Sequence, residues 1–262
     1  MPEIAQRHGG STLHRQNNVP CGYRSVAVPE NRRLVDQHFE TIARRYDLAN
    51  TLLSLGLDHR WRKFAIRRLA LKRGECVLDL CGGTAALAAH AARDVAPDGR
   101  VTVCDLSMAM MRAGLPRVKR GGHTQIVQWI QGDAEKLGFP DGTFDAVMVG
   151  FGVRNLVHLE RGLKEMCRVL RRGGRLMLLE FSVPEAAWFR NLYGLYSFAL
   201  MPIAGKAITG ASAPFRYLAE SIRVFPTPEV LKATLETSGF RQVMFWRLNM
   251  GIVAVYLATR SQ

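Results

Sequence analysis

Val77–Ala86 reads VLDLCGGTAA. An apolar, strand-forming run passes through Asp79 into the adjacent glycines Gly82 and Gly83, then enters AALAAHAARDV, whose spacing is helical. Strand, glycine turn and helix in succession present backbone N–H groups at a helix start, a common way of holding a nucleotide-like cofactor. A dinucleotide fingerprint requires GxGxxG, whereas here the glycines adjoin and Ala86 takes the last position; no GK[ST] follows either, so a Walker loop is absent.

Outward from this turn, strands and helices alternate. CVLDLC, RVTVCD, TQIVQWI, FDAVMV and RLMLLEF read as strands, separated by AALAAHAARDV, SMAMMRAGLPRVKR and LERGLKEMCRVLRR as helices. QVMFWRL and IVAVYLAT, parted by Asn249-Met250-Gly251, suit an antiparallel hairpin at the sheet edge. The sum is an α/β, Rossmann-like domain: a mostly parallel seven-stranded sheet with a C-terminal antiparallel hairpin, binding ligands at the carboxyl ends of its strands. Residues 1–34 read as a flexible polar tail, punctuated by Gly9, Gly10, Pro20 and Pro29. Residues 35–70 read as helices over the active site, 71–262 as the catalytic domain, and 183–240 as a helical, substrate-side insertion within it.

The chain of 262 residues carries 36 Lys and Arg against 22 Asp and Glu, a formal charge of +14, which favours an anionic partner. Charge is spread along the chain and no RNA-binding aromatic motif accompanies it, so no nucleic acid is expected. Five cysteines with no CxxC pair suit a reducing cytoplasm and speak against a disulfide framework or a zinc site. No apolar signal region opens the sequence and no window spans a membrane, which leaves a cytoplasmic protein, at most peripheral at the inner face of the membrane.

S-adenosyl-L-methionine (SAM) makes demands the turn can meet. It has no phosphates, only an adenosine and an amino acid joined by a sulfonium. The turn need only be small, while carboxylates take the amine and the ribose hydroxyls. Asp79 ends the first strand and faces the amino-acid end, Asp105 ends the second and suits the ribose diol, and Asp133 follows the third and suits the adenine amino group.

The blocks FETIARRYDLANTLLSLGLDHRWR, VLDLCGGT, GDAEKLGFPDGTFDAVMVGFGVRN and FRYLAESIRVFP, with LKATLETSGF behind, then sharpen the picture. From about Phe39 to the C-terminus the sequence resembles the quinone-biosynthesis C-methyltransferases, class I SAM-dependent enzymes that methylate ubiquinone and menaquinone precursors. The resemblance implies that Thr84, Asp105, Asp133 and Ala134 hold SAM, with Gly150 standing where many members carry Ser. Ala85 and Ala86 replace the Gly-Asp of the usual GGTGD; position 85 tests whether a left-handed φ is needed, which Gly tolerates and Ala resists.

In such enzymes a ring carbon of a quinol becomes nucleophilic once a neighbouring hydroxyl loses its proton. The resemblance gives Arg154 of FGVRN a catalytic part, with Asn155 beside it. A guanidinium cannot be the base, so Arg154 is expected to stabilise the phenolate, with Asp47 as its carboxylate partner and Tyr46 lining the pocket. His158 is expected at the surface, and Arg216 and Glu220 as an i,i+4 pair near the substrate mouth, with Tyr217 and Arg223 in the same block. Ala211, Ser212 and Phe215 depart from frequent family residues. The aromatic stretch 187–204 suits either an entrance for an isoprenoid tail at a membrane surface or core packing. The expected partner is a prenylated quinol, demethylmenaquinol first and a benzoquinol second. A homodimer or a quinone-biosynthesis complex is compatible, as are a methyltransferase of another small molecule and a non-catalytic scaffold.

Overall fold

A computed structural model describes residues 18–261. The chain opens with a two-stranded antiparallel hairpin, β1 (Asn18–Cys21) and β2 (Arg24–Ala27), followed by helices α1 (Val28–Ile42), α2 (Tyr46–Leu53) and α3 (Leu57–Leu69). The expected tail over 1–34 is therefore corrected for residues 18–34, which are hairpin and helix; residues 1–17 lie outside the described residues. Composition misled there. Gly22, at φ 63°, makes the hairpin turn, and Pro29 sits in the first turn of α1, where its missing N–H leaves no helix bond unmade. Long-range contacts fasten the hairpin: Tyr23 N–H donates to Glu220 Oε2 (3.2 Å), and Asn31 Nδ2 donates to the Pro20 carbonyl (2.7 Å).

The alternating region contains β3 (Cys76–Leu80), α4 (Ala88–Val95), β4 (Arg100–Asp105), α5 (Met108–Arg120), β5 (Val127–Gln131), β6 (Phe144–Gly150), α6 (Leu159–Val169) and β7 (Leu170–Phe181). After it come α7 (Ala187–Leu195), α8 (Met201–Thr209), α9 (Ala213–Val224), α10 (Pro228–Thr237), β8 (Phe240–Leu248) and β9 (Val253–Arg260). One seven-stranded sheet runs β5-β4-β3-β6-β7-β9-β8, with β9 antiparallel to both its neighbours and every other pairing parallel. That is the expected Rossmann-like sheet with its C-terminal hairpin.

Central strands buried on both faces explain the unbroken apolar runs. Along β3, Val77 joins one core with Trp61, Ala65 and Leu69 of α3 and Ala88, Ala91, Ala92 and Val95 of α4. Leu78 and Leu80 join the other, with Leu163 and Met166 of α6 and Leu231 and Leu235 of α10. Ala88, Ala91, Ala92 and Val95 fall at i, i+3, i+4 and i+7, and their small size lets α4 lie close on the sheet. A smaller cluster of Ile42, Ala49, Met201, Phe215 and Ala219 ties the N-terminal helices to α8 and α9. There Gly205 is obligatory, since a Cβ on it would lie 2.2 Å from the Phe215 ring.

Candidate active site

The principal pocket opens where a parallel sheet exposes its carboxyl ends, beyond β3, β4 and β6. Asp79, Gly82, Gly83, Thr84, Asp105, Asp133, Ala134 and Gly150 all line it, as do Tyr46 and Asn155. Its roof is α1, which presents Arg32, Val35, Asp36 and Phe39 on one face.

The turn below β3 is built by backbone. Gly82 cannot be enlarged: a Cβ would lie 2.8 Å from the Asp79 carbonyl oxygen and 2.9 Å from Val103 Cγ1. Gly83 has φ 47° and Ala85 φ 57°, so position 85 does need the left-handed conformation and a fully buried alanine supplies it. Such backbone costs an L-residue about 1–2 kcal/mol and persists where surrounding contacts over-determine it. Cys81 (φ 52°) and Phe151 (φ 60°) border the same pocket in the same conformation. The expected helix from Ala85 begins at Ala88 instead, because Asp79 Oδ2 accepts from the Ala88 N–H (2.9 Å) and starts it there. At Gly150 a Cβ would meet Leu87 Cδ1 at 2.7 Å, so Leu87 fills the space a serine would take.

The three acids sit in distinct environments. Asp79 is 1% exposed, and its Oδ1 is buried with no hydrogen-bond partner. Burial pushes its pKa up to about 7, opposed by the Ala88 N–H and, more weakly, by Arg62. Asp105 accepts from Gly83 N–H through Oδ2 and from Ser107 N–H through Oδ1, both at 2.8 Å, which fixes its carboxylate beside the turn; burial raises its pKa despite those bonds. Asp133 receives Arg32 Nη2 at 3.1 Å and the Glu135 N–H at 2.8 Å, so α1 is latched across the third acid.

Arg154 follows β6 and is deeply buried, its side chain 5% exposed. Its partner is Glu180 at the end of β7, Nη1 to Oε1 at 2.8 Å, with the guanidinium over the Phe181 ring. Burial opposes its charge most strongly, yet Glu180, with Tyr46 and Tyr217 nearby, more than offsets that and raises its pKa. Arg154 is not part of the pocket lining; Asn155, next to it, is, and Asn155 Oδ1 accepts from Tyr217 OH (3.1 Å). Tyr217 is itself pushed up to about 12, chiefly by burial, and stays a donor.

The expected pairing of Asp47 with Arg154 is corrected. Asp47 bonds Arg117 Nη2 (2.7 Å) and Thr84 Oγ1 (2.8 Å), away from Arg154 and outside the pocket lining, because α2 directs it toward α5. Arg216 is exposed and makes no ion pair among the described residues, while Glu220, its expected partner, turns to the Tyr23 N–H. His158 is exposed, as expected, and its backbone N–H donates to Glu135 Oε1 (3.1 Å).

Spacing did not disclose Glu180, Arg62, Arg117 or Glu135. Glu180 left one trace, a lone acid within the apolar run from Leu176 to Phe181, since a charge in a buried strand needs a partner. Arg62, buried against Asp58 and over the Phe151 ring (5.6 Å), lay within the WR of a block already singled out.

Comparison with known proteins accords with this geometry. A family model described as the ubiE/COQ5 methyltransferase family matches residues 26–260. A protein of Pseudomonas putida (strain W619), named ubiquinone/menaquinone biosynthesis C-methyltransferase UbiE, is 42% identical over 243 residues, covering 93% of this chain and 95% of its own. The protein of the same name in Azotobacter vinelandii is 43% identical over 241 residues, covering 92% and 95%. Among solved structures, a SAM-dependent methyltransferase from Aquifex aeolicus shares the fold at TM-score 0.54 and 18% identity, over 76% of this chain and 88% of that one. Haemonchus contortus phosphoethanolamine N-methyltransferase 2, in complex with S-adenosyl-L-methionine, does so at 0.56 and 14%, over 77% and 52%.

Proposed function

Since the chain belongs to the ubiE/COQ5 methyltransferase family and is a SAM-dependent methyltransferase, we propose that it methylates a ring carbon of a prenylated quinol, converting demethylmenaquinol to menaquinol. The observation that carries this is the match across residues 26–260, which includes the roof elements as well as the cofactor turn. The wall offered to a ring contains Val35, Phe39, Phe151 and Leu156, which favours a fused, largely apolar naphthoquinol over a methoxylated benzoquinol.

The pocket fits SAM. The unpartnered Asp79 Oδ1 is an acceptor awaiting a donor, and an α-ammonium would supply one while offsetting the burial of the charge. Gly82 and Gly83 admit the close approach of an amino-acid moiety, Asp105 is held ready for a diol, and Ala134 and Gly150 add walls without bulk. When bound, SAM supplies the electrophilic methyl. The residues of the chain then have three tasks: orienting the ring, favouring its phenolate and excluding water. Tyr46 and Asn155 border the ring's side of the pocket, and the Tyr217 bond leaves the Asn155 NH₂ as the donor available there. Arg154 keeps its positive charge behind them, with its Nε buried and unpartnered, so it favours negative charge on the quinol oxygen without taking a proton. The hydroxyl proton leaves to solvent as the ring enters, and the ring-carbon proton leaves after the methyl has been transferred.

The substrate's tail accounts for a second feature. Trp188 (65% exposed), Leu192, Leu195, Leu200 and Ile203 (70%) project from α7, α8 and the wide helical turn between them, beside exposed Leu48, Leu52 and Leu55 of the packed α2 region. From Arg190 to Ala219 the chain contains Arg190, Lys206 and Arg216 but no acid. Exposed apolar side chains among cations suit the surface of an anionic bilayer, where such a substrate dissolves. On this reading the protein works in the cytoplasm, peripheral to the inner face of the membrane. No described helix is long and apolar enough to cross one.

Two assays test the proposal. Methyl-labelled SAM with reduced demethylmenaquinol and demethyl-benzoquinol should label the naphthoquinol, and Arg154→Ala should abolish it; labelling of the benzoquinol alone would overturn the substrate. Flotation with phosphatidylglycerol vesicles should recover the protein and lose Trp188→Ser/Ile203→Ser. Unchanged flotation of the variant, or concentration-dependent dimerisation that the variant abolishes, would assign the crest elsewhere.

A further inference from the structure

Thr84 lies between two left-handed residues, Gly83 and Ala85, and is 3% exposed. The turn closes through the Ala85 N–H on the Gly82 carbonyl (2.8 Å), and the Ala89 N–H returns to the Ala85 carbonyl (3.0 Å). Among the described residues no backbone N–H reaches the Thr84 carbonyl, which would be left unpaired beneath the pocket. Arg117 of α5 fills that vacancy: its Nη1 donates to Thr84 O at 2.5 Å and to Thr84 Oγ1 at 3.0 Å. Its Nη2 donates to Asp47 Oδ2 (2.7 Å), and Thr84 Oγ1 donates to Asp47 Oδ1 (2.8 Å). One turn earlier in α5, a Cβ on Gly114 would lie 2.7 Å from the Thr84 carbonyl carbon, so helix and turn backbone already touch.

From this ring we infer that Arg117 and Asp47 are positioning residues, which hold the cofactor turn in its strained form and tie it to the segment carrying Tyr46. A half-exposed ion pair contributes little to stability by itself, and Arg117 and Asp47 are 28% and 38% exposed. Their effect is local. A charged donor on the carbonyl at one end of the Thr84–Ala85 peptide, and a hydroxyl held at the other side of Thr84, pin the residue preceding the buried alanine. A glycine at position 85 would need no such restraint, so the pair answers a demand that Ala85 creates. It also joins the two sides of the pocket, because Asp47 adjoins Tyr46, which lines it. Neither residue touches the pocket, so both act through Thr84.

This inference rests on SAM as the cofactor and not on which ring is methylated. Binding of SAM and S-adenosylhomocysteine to the full chain would therefore be measured by calorimetry, without a methyl acceptor. Arg117→Met should weaken both ligands about tenfold, with Arg117→Lys between it and the wild type. Ala85→Gly should restore binding in the Arg117→Met background while changing the wild type little. Wild-type affinity in Arg117→Met would overturn the inference, as would an equal gain from Ala85→Gly in both backgrounds. Should Arg117→Met not fold, the same cycle on Arg117→Lys decides by the same criterion.

Discussion

The floor of the pocket, the turn Cys81–Leu87 between β3 and α4, and its roof, α1 with Tyr46 and the neighbouring α9, enclose one ligand space by opposite means. On the floor the backbone does the shaping: Gly82 and Gly83 leave room, Ala85 bends the chain, and single carboxylates end the strands. On the roof, side chains from distant elements meet in pairs: Arg32 with Asp133 and Glu135, and Tyr217 with Asn155. Between them the Arg154–Glu180 pair is buried like the floor but assembled like the roof. A floor of backbone tolerates no added atoms and suits one unvarying cofactor. A roof of paired side chains can be re-paired.

The sharpest way to break this comparison is at its seam. Glu180→Ala leaves Arg154 charged and unpaired in the core, so the loss should be about 3–5 kcal/mol, read as a fall of roughly 6–10 °C in Tm. Glu180→Gln, which keeps an acceptor, should fold and bind SAM yet transfer methyl slowly. If it transferred at the wild-type rate, the pair would be structural only.

On the floor, Gly82→Ala should weaken SAM ten- to a hundredfold, corresponding to about 1–3 kcal/mol of overpacking, since the new Cβ meets backbone 2.8 Å away. Calorimetric affinity within twofold of wild type would show that the floor yields as readily as the roof.

Asp79 separates binding from stability. With its pKa raised to about 7, the native state retains a proton that the unfolded chain has lost between about pH 4 and 7. Stability from this group is therefore greatest at low pH and declines as pH rises through that window. SAM affinity should move the other way, tightening as Asp79 ionises near neutrality. Asp79→Asn should flatten both profiles, stabilise the protein at pH 8 by about 1–3 kcal/mol and weaken SAM at that pH. A variant whose SAM affinity still rises across pH 6–8 would assign the titration to another group.

The smallest effect is expected at Gly150→Ser, where the end of the Leu87 side chain must move from 2.7 Å. About 1 kcal/mol of stability should be lost, with SAM binding within a fewfold of wild type. A large drop would mean that Leu87 itself shapes the cofactor site.

How far the molecule could be read beforehand follows the same division. Strand ends, glycines and acids recur within one short stretch after each strand, and Asp79, Gly82, Gly83, Thr84, Asp105, Asp133, Ala134 and Gly150 all line one pocket. Pairings spanning tens of residues leave no periodic mark. Glu180 is 26 positions from Arg154, and Arg117 is 70 from Asp47, so spacing could pair neither, and the YDLAN block gave Arg154 the wrong carboxylate. The hairpin at residues 18–27 escaped for the same reason: its strands are four residues each, and their hold comes from Glu220 and Asn31.

By itself, then, the sequence determined the parallel sheet, its antiparallel edge and the glycine turn after the first strand of that sheet, because alternation, strand length and glycine placement act between near neighbours. Only the tertiary structure decided that Ala85 adopts φ 57°, that Arg154 answers to Glu180, and that Asp47 serves the turn through Arg117. Those outcomes depend on which buried charges and unpaired carbonyls the packed elements bring within reach. No run of neighbouring residues encodes that.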